Sequence, residues 1–293
     1  MSNILSIPPF VFFGTPDFAV GVLDQLEKRG LFPALVVTVL DAPAGRGQKL
    51  TPPPVKVWAE VRGIQVLQPE KLDEDFSSKL KTKNYQLLIV AAYGKILPEA
   101  ILDIPEHGAL NVHPSLLPRL RGSSPIQSAI LGEEKTGVTI ILMDEKMDHG
   151  GIIAQRERII RNFANDPPKA SELSKDLARF GGELLLEIMP EWISGNISPA
   201  PQDDRAATYC KKIAKEDGRI DLAADPHENL RKIRSFDEWP GAYFFMQADR
   251  KQIRVKILDA EVQDGRLVIK DVLPEGRKKM PYRDFLQGIS RLM

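Results

Sequence analysis

Along the first two-thirds of the chain, short apolar, β-branched or aromatic runs alternate with amphipathic stretches. Phe10–Phe13, Leu35–Leu40, Leu87–Ala92, Ala109–His113 and Gly137–Met143 read as strands. Between them the pattern predicts a helix running from an Asp17 cap toward Arg29. A second helix, to Leu131, opens at Pro125 behind a Ser124 cap, because proline suits the first helical position. A third, from Ser171 to about Ser194, sets Leu173, Leu177, Phe180, Leu184 and Ile188 on one face at spacings of three and four. Strands alternating with helices predict an α/β domain with a doubly wound, mostly parallel, Rossmann-like sheet.

The pattern changes after Ser194. Residues 195–207 hold Ser-Pro, Ala-Pro, Gln, two Asp and Arg with no periodic apolar face, which reads as a linker. Beyond it, a helix at Pro226–Ser235 precedes strands at Ile253–Ile257 and Arg266–Ile269, and Gln263-Asp264-Gly265 has hairpin-turn composition. The predicted organisation is a domain over 1–194, a linker over 195–207, and a smaller β-barrel, OB-like domain over 208–293.

Composition narrows the function classes. A chain of 293 residues has room for two domains, and shares of 43% apolar and 27% charged residues argue against disorder. Forty basic against forty acidic residues exclude a polycation. From Thr208 onward there are 18 Lys/Arg and 14 Asp/Glu, a net of +4 that leaves −4 for the rest. That asymmetry is either surface variation or a face for a polyanion. One cysteine, Cys210, allows no internal disulfide and no all-thiolate zinc site. The longest apolar run, Leu31–Leu40, is half the length of a membrane span, and the first basic residue is Lys28, so neither a membrane segment nor a secretory signal is expected. The reading is a reduced, cytoplasmic protein.

The candidate chemistry lies at strand ends. Gly14-Thr15-Pro16-Asp17 joins the first strand to the first helix, but its single glycine falls short of the dinucleotide fingerprint. Gly45-Arg46-Gly47-Gln48-Lys49 lacks the Walker spacing; it reads as part of an exposed loop about ten residues long, either a plain connection or a finger whose Arg46 and Lys49 touch phosphate or sugar. Asn111 and His113, two apart at the end of a strand, project from the same face, where open α/β sheets hold ligands. An amide beside an imidazole suits the stabilisation of negative charge on a carbonyl oxygen; a structural hydrogen-bonding role for His113 is the rival. Pro114 and Pro118 stiffen the following loop, which Arg119 and Arg121 flank. Asp148, 37 residues after Asn111, supplies a carboxylate beside Gly150-Gly151, in a stretch whose composition is otherwise that of a plain turn. Four histidines without a His-x-x-x-His pair make a metal site improbable, no calcium-loop register is present, and no Gly-x-Ser-x-Gly elbow offers a serine nucleophile.

Asn111-x-His113-Pro-Ser-Leu-Leu-Pro118, with Asp148-His-Gly downstream, resembles the catalytic segment of folate-dependent formyltransferases. Segments 13–18, 43–50, 121–127, 209–216 and 233–240 resemble the branch of that family whose amine is methionyl-tRNA. The resemblance covers nearly the whole chain. It implies transfer of a formyl group from 10-formyltetrahydrofolate to the α-amine of initiator methionyl-tRNA, in support of translation initiation. A sugar-nucleotide or other small amine served by the same Asn/His/Asp chemistry is the alternative. It further implies that Asn111 and His113 donate hydrogen bonds to the oxyanion, and that Asp148 orients His113 and takes the amine's proton. The folate would lie against Ser115, Leu116, Leu117 and Pro118, with Ala91, Tyr93 and Gly94 in its pocket. Arg46 and Lys49 would contact the tRNA stem and the basic C-terminal domain its backbone, with no metal, no membrane and a monomeric chain. Three departures stand out: Leu40-Asp41-Ala42 before the Arg46 loop, His149 where a small hydroxyl residue is common, and a somewhat short second domain.

Overall fold

A computed structural model describes residues 7–44, 47–160, 162–163, 165–248 and 251–290. In chain order the elements are β1 (Phe10–Gly14), α1 (Asp17–Glu27), β2 (Leu35–Val37), β3 (Ala42–Ala44), β4 (Lys49–Thr51), α2 (Pro54–Val61), β5 (Val66–Leu67) and α3 (Glu74–Lys81). There follow β6 (Leu87–Ala91), α4 (Glu99–Leu102), β7 (Ala109–His113), β8 (Arg121–Gly122), α5 (Pro125–Gly132), β9 (Lys135–Leu142), β10 (Ile152–Ile159) and α6 (Ala170–Ile193). The remainder comprises β11 (Tyr209–Cys210), α7 (Pro226–Ser235), β12 (Tyr243–Ala248), β13 (Lys251–Gln263), β14 (Arg266–Pro274), β15 (Met280–Pro281) and α8 (Tyr282–Ser290). The described residues fall into two compact units. One takes the chain up to Ser123, Gly137–Arg158 and Ser174–Tyr209; the other takes Ser124–Thr136, Ile159–Leu173 and the chain from Cys210 onward.

The first unit is built on a seven-stranded sheet in the order β10-β9-β7-β6-β1-β2-β5. Pairs β1–β2, β1–β6, β2–β5 and β6–β7 are parallel, and β9 turns antiparallel against β7. Strands β1, β2 and β6 are short and buried on both faces, which is why they read as unbroken apolar runs rather than alternating ones. On one face Val11, Phe13, Val37, Leu88 and Val90 pack with Phe76, Leu80, Tyr93 and Ile101. Gly14 closes β1 because a Cβ there would lie 2.6 Å from the Phe12 ring, 2.7 Å from Ala19 and 3.0 Å from the Ala91 carbonyl.

Two predicted caps differ. Pro16, not Asp17, stands at the N-cap of α1, and Asp17 falls inside the first turn, where its charge still suits the helix dipole. Ser124 occupies the N-cap of α5, but its hydroxyl donates to the Lys211 carbonyl (2.6 Å) instead of accepting from the helix. The expected loop around Arg46 is a β-hairpin: β3 and β4 pair antiparallel, Ala42 opposite Thr51. Backbone pairing needs no apolar face, so composition gave no sign of it. Gly45 and Arg46, between the two strands in sequence, lie outside the described residues.

In the second unit β12-β13-β14-β15 form an antiparallel sheet. Asp264 (φ 49°) and Gly265 (φ 70°) make the two-residue turn joining β13 to β14, with Gln263 opposite Arg266. The expected barrel is thus a four-stranded antiparallel sheet, and a parallel bridge from Arg219 to Tyr243 extends its β12 edge. Leu230 and Ile233 of α7 and Phe285 of α8 cover its apolar face with Phe244, Val255 and Val272. Helix α5 belongs to this unit; Ser235 Oγ donates to the Gln127 carbonyl at 3.1 Å.

Candidate active site

Strand β7 ends at His113, between parallel β6 and antiparallel β9. Asn111 and His113 leave the same face, buried to 8% and 4% exposure. Opposite them, the loop joining β9 to β10 delivers Asp148, and Asp148 Oδ1 lies 3.5 Å from both Asn111 Nδ2 and His113 Nδ1. The other carboxylate oxygen, Oδ2, accepts the Gly122 backbone N–H at 2.8 Å. Asn111 and His113, from the end of one strand, therefore converge on one oxygen of a carboxylate 35 or more positions further along the chain, and a backbone donor engages the other.

The His113 ring is held from its far side. Its Nε2 lies 3.1 Å from the Leu120 carbonyl, which can only accept, so Nε2 carries a proton and Nδ1 faces Asp148. Leu120 reaches that position with φ 58°, and its own N–H donates to Thr208 Oγ1 at 2.8 Å. Asp148 is likewise left-handed, at φ 51°, an unfavourable conformation for a non-glycine residue outside Asn and Asp, which tolerate it. Gly150 lets the chain continue: a Cβ there would sit 1.8 Å from the Leu142 carbonyl oxygen.

The remaining predicted residues occupy defined places. Ser115 is fully buried, and its hydroxyl donates to the Arg119 carbonyl (2.7 Å). Thr139 Oγ1 donates to the Ser115 carbonyl and accepts the Leu117 N–H, while Gln155 Nε2 donates to the Leu117 carbonyl at 2.7 Å. Leu117 is buried, Leu116 and Pro118 half-buried. Ala91 is buried at the end of β6. The Tyr93 ring lies edge-on to Phe13 in the core, its hydroxyl unpartnered and its pKa pushed up to about 12 by burial. Ala92 (φ 47°) and Gly94 (φ 88°) are exposed, with open space beside Gly94. Lys49 is exposed on β4. His149 turns to carboxylates other than Asp148: Nδ1 lies 2.6 Å from Asp144 and Nε2 3.5 Å from Asp204.

Sequence reasoning missed several groups that build this site. Thr139 and Gln155 sit inside strands, and the Leu120 carbonyl and Gly122 N–H are backbone atoms; no motif marks either kind. Arg121 had been noted only as a flanking charge. It is 2% exposed, and burial opposes its charge, but hydrogen bonds to Asp204 and Tyr209 more than compensate and raise its pKa. Gln202 lies in the stretch read as a linker.

This arrangement can orient an amide N–H toward a developing oxyanion, with the His113 ring a second donor through Nδ1 in its doubly protonated form, and a carboxylate positioned to accept a proton. The sequence-family model described as formyl transferase matches residues 9–188. The chain belongs to the formyl transferase family. A second model, for the formyl transferase C-terminal domain, matches residues 212–265. This formyl transferase is 40% identical over 297 residues to the methionyl-tRNA formyltransferase of Thermodesulfovibrio yellowstonii, covering 95% of each chain. Its fold is similar to that of a methionyl-tRNA formyltransferase from Clostridium thermocellum (TM-score 0.61, 17% identity, 92% of this chain and 99% of that one). The fold is also similar to that of HypX from Aquifex aeolicus in complex with tetrahydrofolic acid (TM-score 0.63, 18% identity, 97% of this chain and 48% of that one). Among the described residues of this formyl transferase no group of three His, Cys, Asp or Glu could hold a metal, and no helix is long and apolar enough to cross a membrane.

Proposed function

We propose that this chain transfers the formyl group of 10-formyltetrahydrofolate to the free α-amine of methionyl-tRNA, a cytoplasmic step in preparing the initiator for translation. The observation that carries the reading is the convergence of Asn111, His113 and Asp148, with one carboxylate oxygen 3.5 Å from both partners. The 40% identity to a methionyl-tRNA formyltransferase across 95% of both chains favours charged tRNA over a small amine as acceptor.

The folate supplies an activated one-carbon unit; the chain supplies everything else. Asn111 Nδ2 directs an N–H toward the formyl oxygen, where negative charge develops as the amine attacks, and one such donor is worth about 3 kcal/mol. His113, anchored through Nε2, presents Nδ1 to the same space. An α-amine has a pKa near 7.7–8.0 in model peptides, so the reaction needs a proton acceptor. Asp148 takes that role through Oδ1, Oδ2 being engaged by Gly122, and can pass the proton to the donor nitrogen as the bond from that nitrogen to the formyl carbon breaks. The end of β6 fits a flat ring system, because the exposed backbone at Ala92 and the open side of Gly94 allow close approach. Ala91, Tyr93 and the Ser115–Pro118 loop frame that approach through shape and backbone, since the Ser115 hydroxyl and the Tyr93 ring are turned inward. Lys49, exposed on β4, and Arg46, three positions before it in sequence, meet the acceptor stem. In the second unit, Lys211, Arg219 and Lys232 line a cleft of about 340 Å³ with Glu216 and Asp217, and since Asp217 pairs with Lys211, Arg219 and Lys232 are the cations left to meet backbone phosphates.

The test is formylation by the purified full-length chain with labelled 10-formyltetrahydrofolate, offered methionylated initiator tRNA in one reaction and an amino-sugar nucleotide in another. Label on the tRNA alone is expected; label on the sugar alone replaces the acceptor, and label on neither removes the reading.

A further inference from the structure

Gln202 lies in the polar stretch between the two predicted domains, yet its carboxamide is hydrogen-bonded on both edges within the first unit. Its Nε2 donates to the Asp148 carbonyl at 2.9 Å and to the Gly150 carbonyl at 2.8 Å. Its Oε1 accepts from Arg121 Nε at 3.1 Å and Nη2 at 2.8 Å. The partners fix the orientation of the amide, since a flipped carboxamide would set oxygen against two carbonyls and an NH2 against a guanidinium. Arg121 is in turn held by Asp204 Oδ1 (2.8 Å) and the Tyr209 hydroxyl (3.3 Å). The segment carrying Gln202 is anchored as well, because Ile152 and Ala200 exchange both backbone hydrogen bonds, at 2.7 and 2.8 Å.

The two carbonyls that Gln202 grips bracket the turn at whose start Asp148 holds φ 51°. Without a donor there, the two inward carbonyls lose their shared partner, and the turn that presents the Asp148 side chain loses its tie to the 200–204 segment. We infer that Gln202, clamped by Arg121, is a positioning residue that sets the Asp148 carboxylate against Asn111 and His113. Its link to catalysis rests on the formyl-transfer reading; its link to Asp148 geometry does not. Both edges of the amide are needed. The guanidinium fork holds the oxygen, and only then do both N–H groups point at the loop.

The experiment compares wild type, Gln202→Ala and Gln202→Glu as full-length 15N-labelled chains. Glutamate keeps the acceptor for Arg121 and replaces only the donating edge, so it serves where alanine fails to fold. One readout is hydrogen exchange of the Gly122 amide, which reports its bond to Asp148 Oδ2; the buried Leu110 amide of β7 reports global stability. The other is the split between kcat and KM in formylation. Gly122 exchange is expected to rise at least about tenfold with Leu110 unchanged, and kcat to fall about tenfold with both KM values within about twofold, because small misplacements of a reacting group cost rate rather than binding. Gly122 exchange within about twofold of wild type in the folded variants overturns the inference, as does a KM increase at unchanged kcat. A wild-type chain that formylates nothing while Gly122 responds as expected removes the formyl-transfer reading and leaves Gln202 as the residue that shapes Asp148.

Discussion

Two segments that stand out in the sequence, the Asn111–Gly122 stretch with its Asp148 partner and the Pro43–Leu50 run, are confined in opposite ways. Asn111, His113 and Asp148 are nearly enclosed; the Leu120 carbonyl accepts from His113, and Gly122 and Gln202 donate to Asp148, which sets the approach of both groups. The hairpin of β3 and β4 rests on a three-rung backbone ladder, with Lys49, Leu50 and Thr51 all exposed and Leu50 at 63%. Charge stabilisation and proton transfer need fixed distances, which burial and saturated hydrogen bonds provide. Contact with a large polyanion needs reach and charge, and an exposed ladder provides both without a core. Under the proposed function, the chemistry falls where the side chains are buried and hydrogen-bonded, and the contact with tRNA where they are exposed.

The sharpest way to break this comparison is Asp148→Asn. It keeps the shape and removes the proton acceptor, so kcat is expected to fall about a hundredfold or more with folate binding unchanged by titration calorimetry. Wild-type-like turnover would take Asp148 out of the mechanism. Next is Gly150→Ala, which drives a methyl group to 1.8 Å from the Leu142 carbonyl oxygen. A loss of about 2–3 kcal/mol in urea unfolding is expected, and an unchanged midpoint would mean that the loop is not confined.

On the hairpin side, Arg46→Ala is expected to lower kcat/KM for charged tRNA about tenfold, with folate affinity intact and a shallower salt dependence. Kinetics unchanged at every salt concentration would reduce the hairpin to a connection. The smallest effect belongs to Asp204, whose carboxyl is held below the usual range chiefly by its hydrogen bond from Arg121. A depressed carboxylate contributes stability above its unfolded pKa, near 3.9, and loses it as pH falls through the folded value. Asp204→Asn should therefore lower Tm slightly at pH 7, with the gap to wild type closing on acidification below pH 4. A gap that stays constant with pH would show that the charge on Asp204 does not support Arg121.

Much of the frame was legible. The run Ala109–His113 is a strand over its full predicted length, Pro226–Ser235 is a helix with the predicted ends, and the i, i+2 spacing of Asn111 and His113 put both on one face. Short strands such as β5 carry too few residues to show a period, and the pairing of β3 with β4 leaves no apolar signature. Ser124 had the composition of a cap but found a stronger partner in the Lys211 carbonyl, 87 positions away.

Local periodicity and the order of strand, loop and glycine determined the α/β frame and the shared face of the amide and imidazole, while the carboxylate joined them through the resemblance of the Asp148-His-Gly segment to formyltransferases. They could do so because side-chain direction repeats every two or 3.6 residues, so a face is written into neighbouring positions. Only the tertiary structure decided what holds those groups in place. Arg121 and Gln202 are 81 positions apart, and Gln202 and the Asp148 carbonyl are 54 apart. A hydrogen bond between distant segments leaves no periodic trace in the chain, and a backbone carbonyl has the same chemistry at every residue; folding alone selects which of them is used.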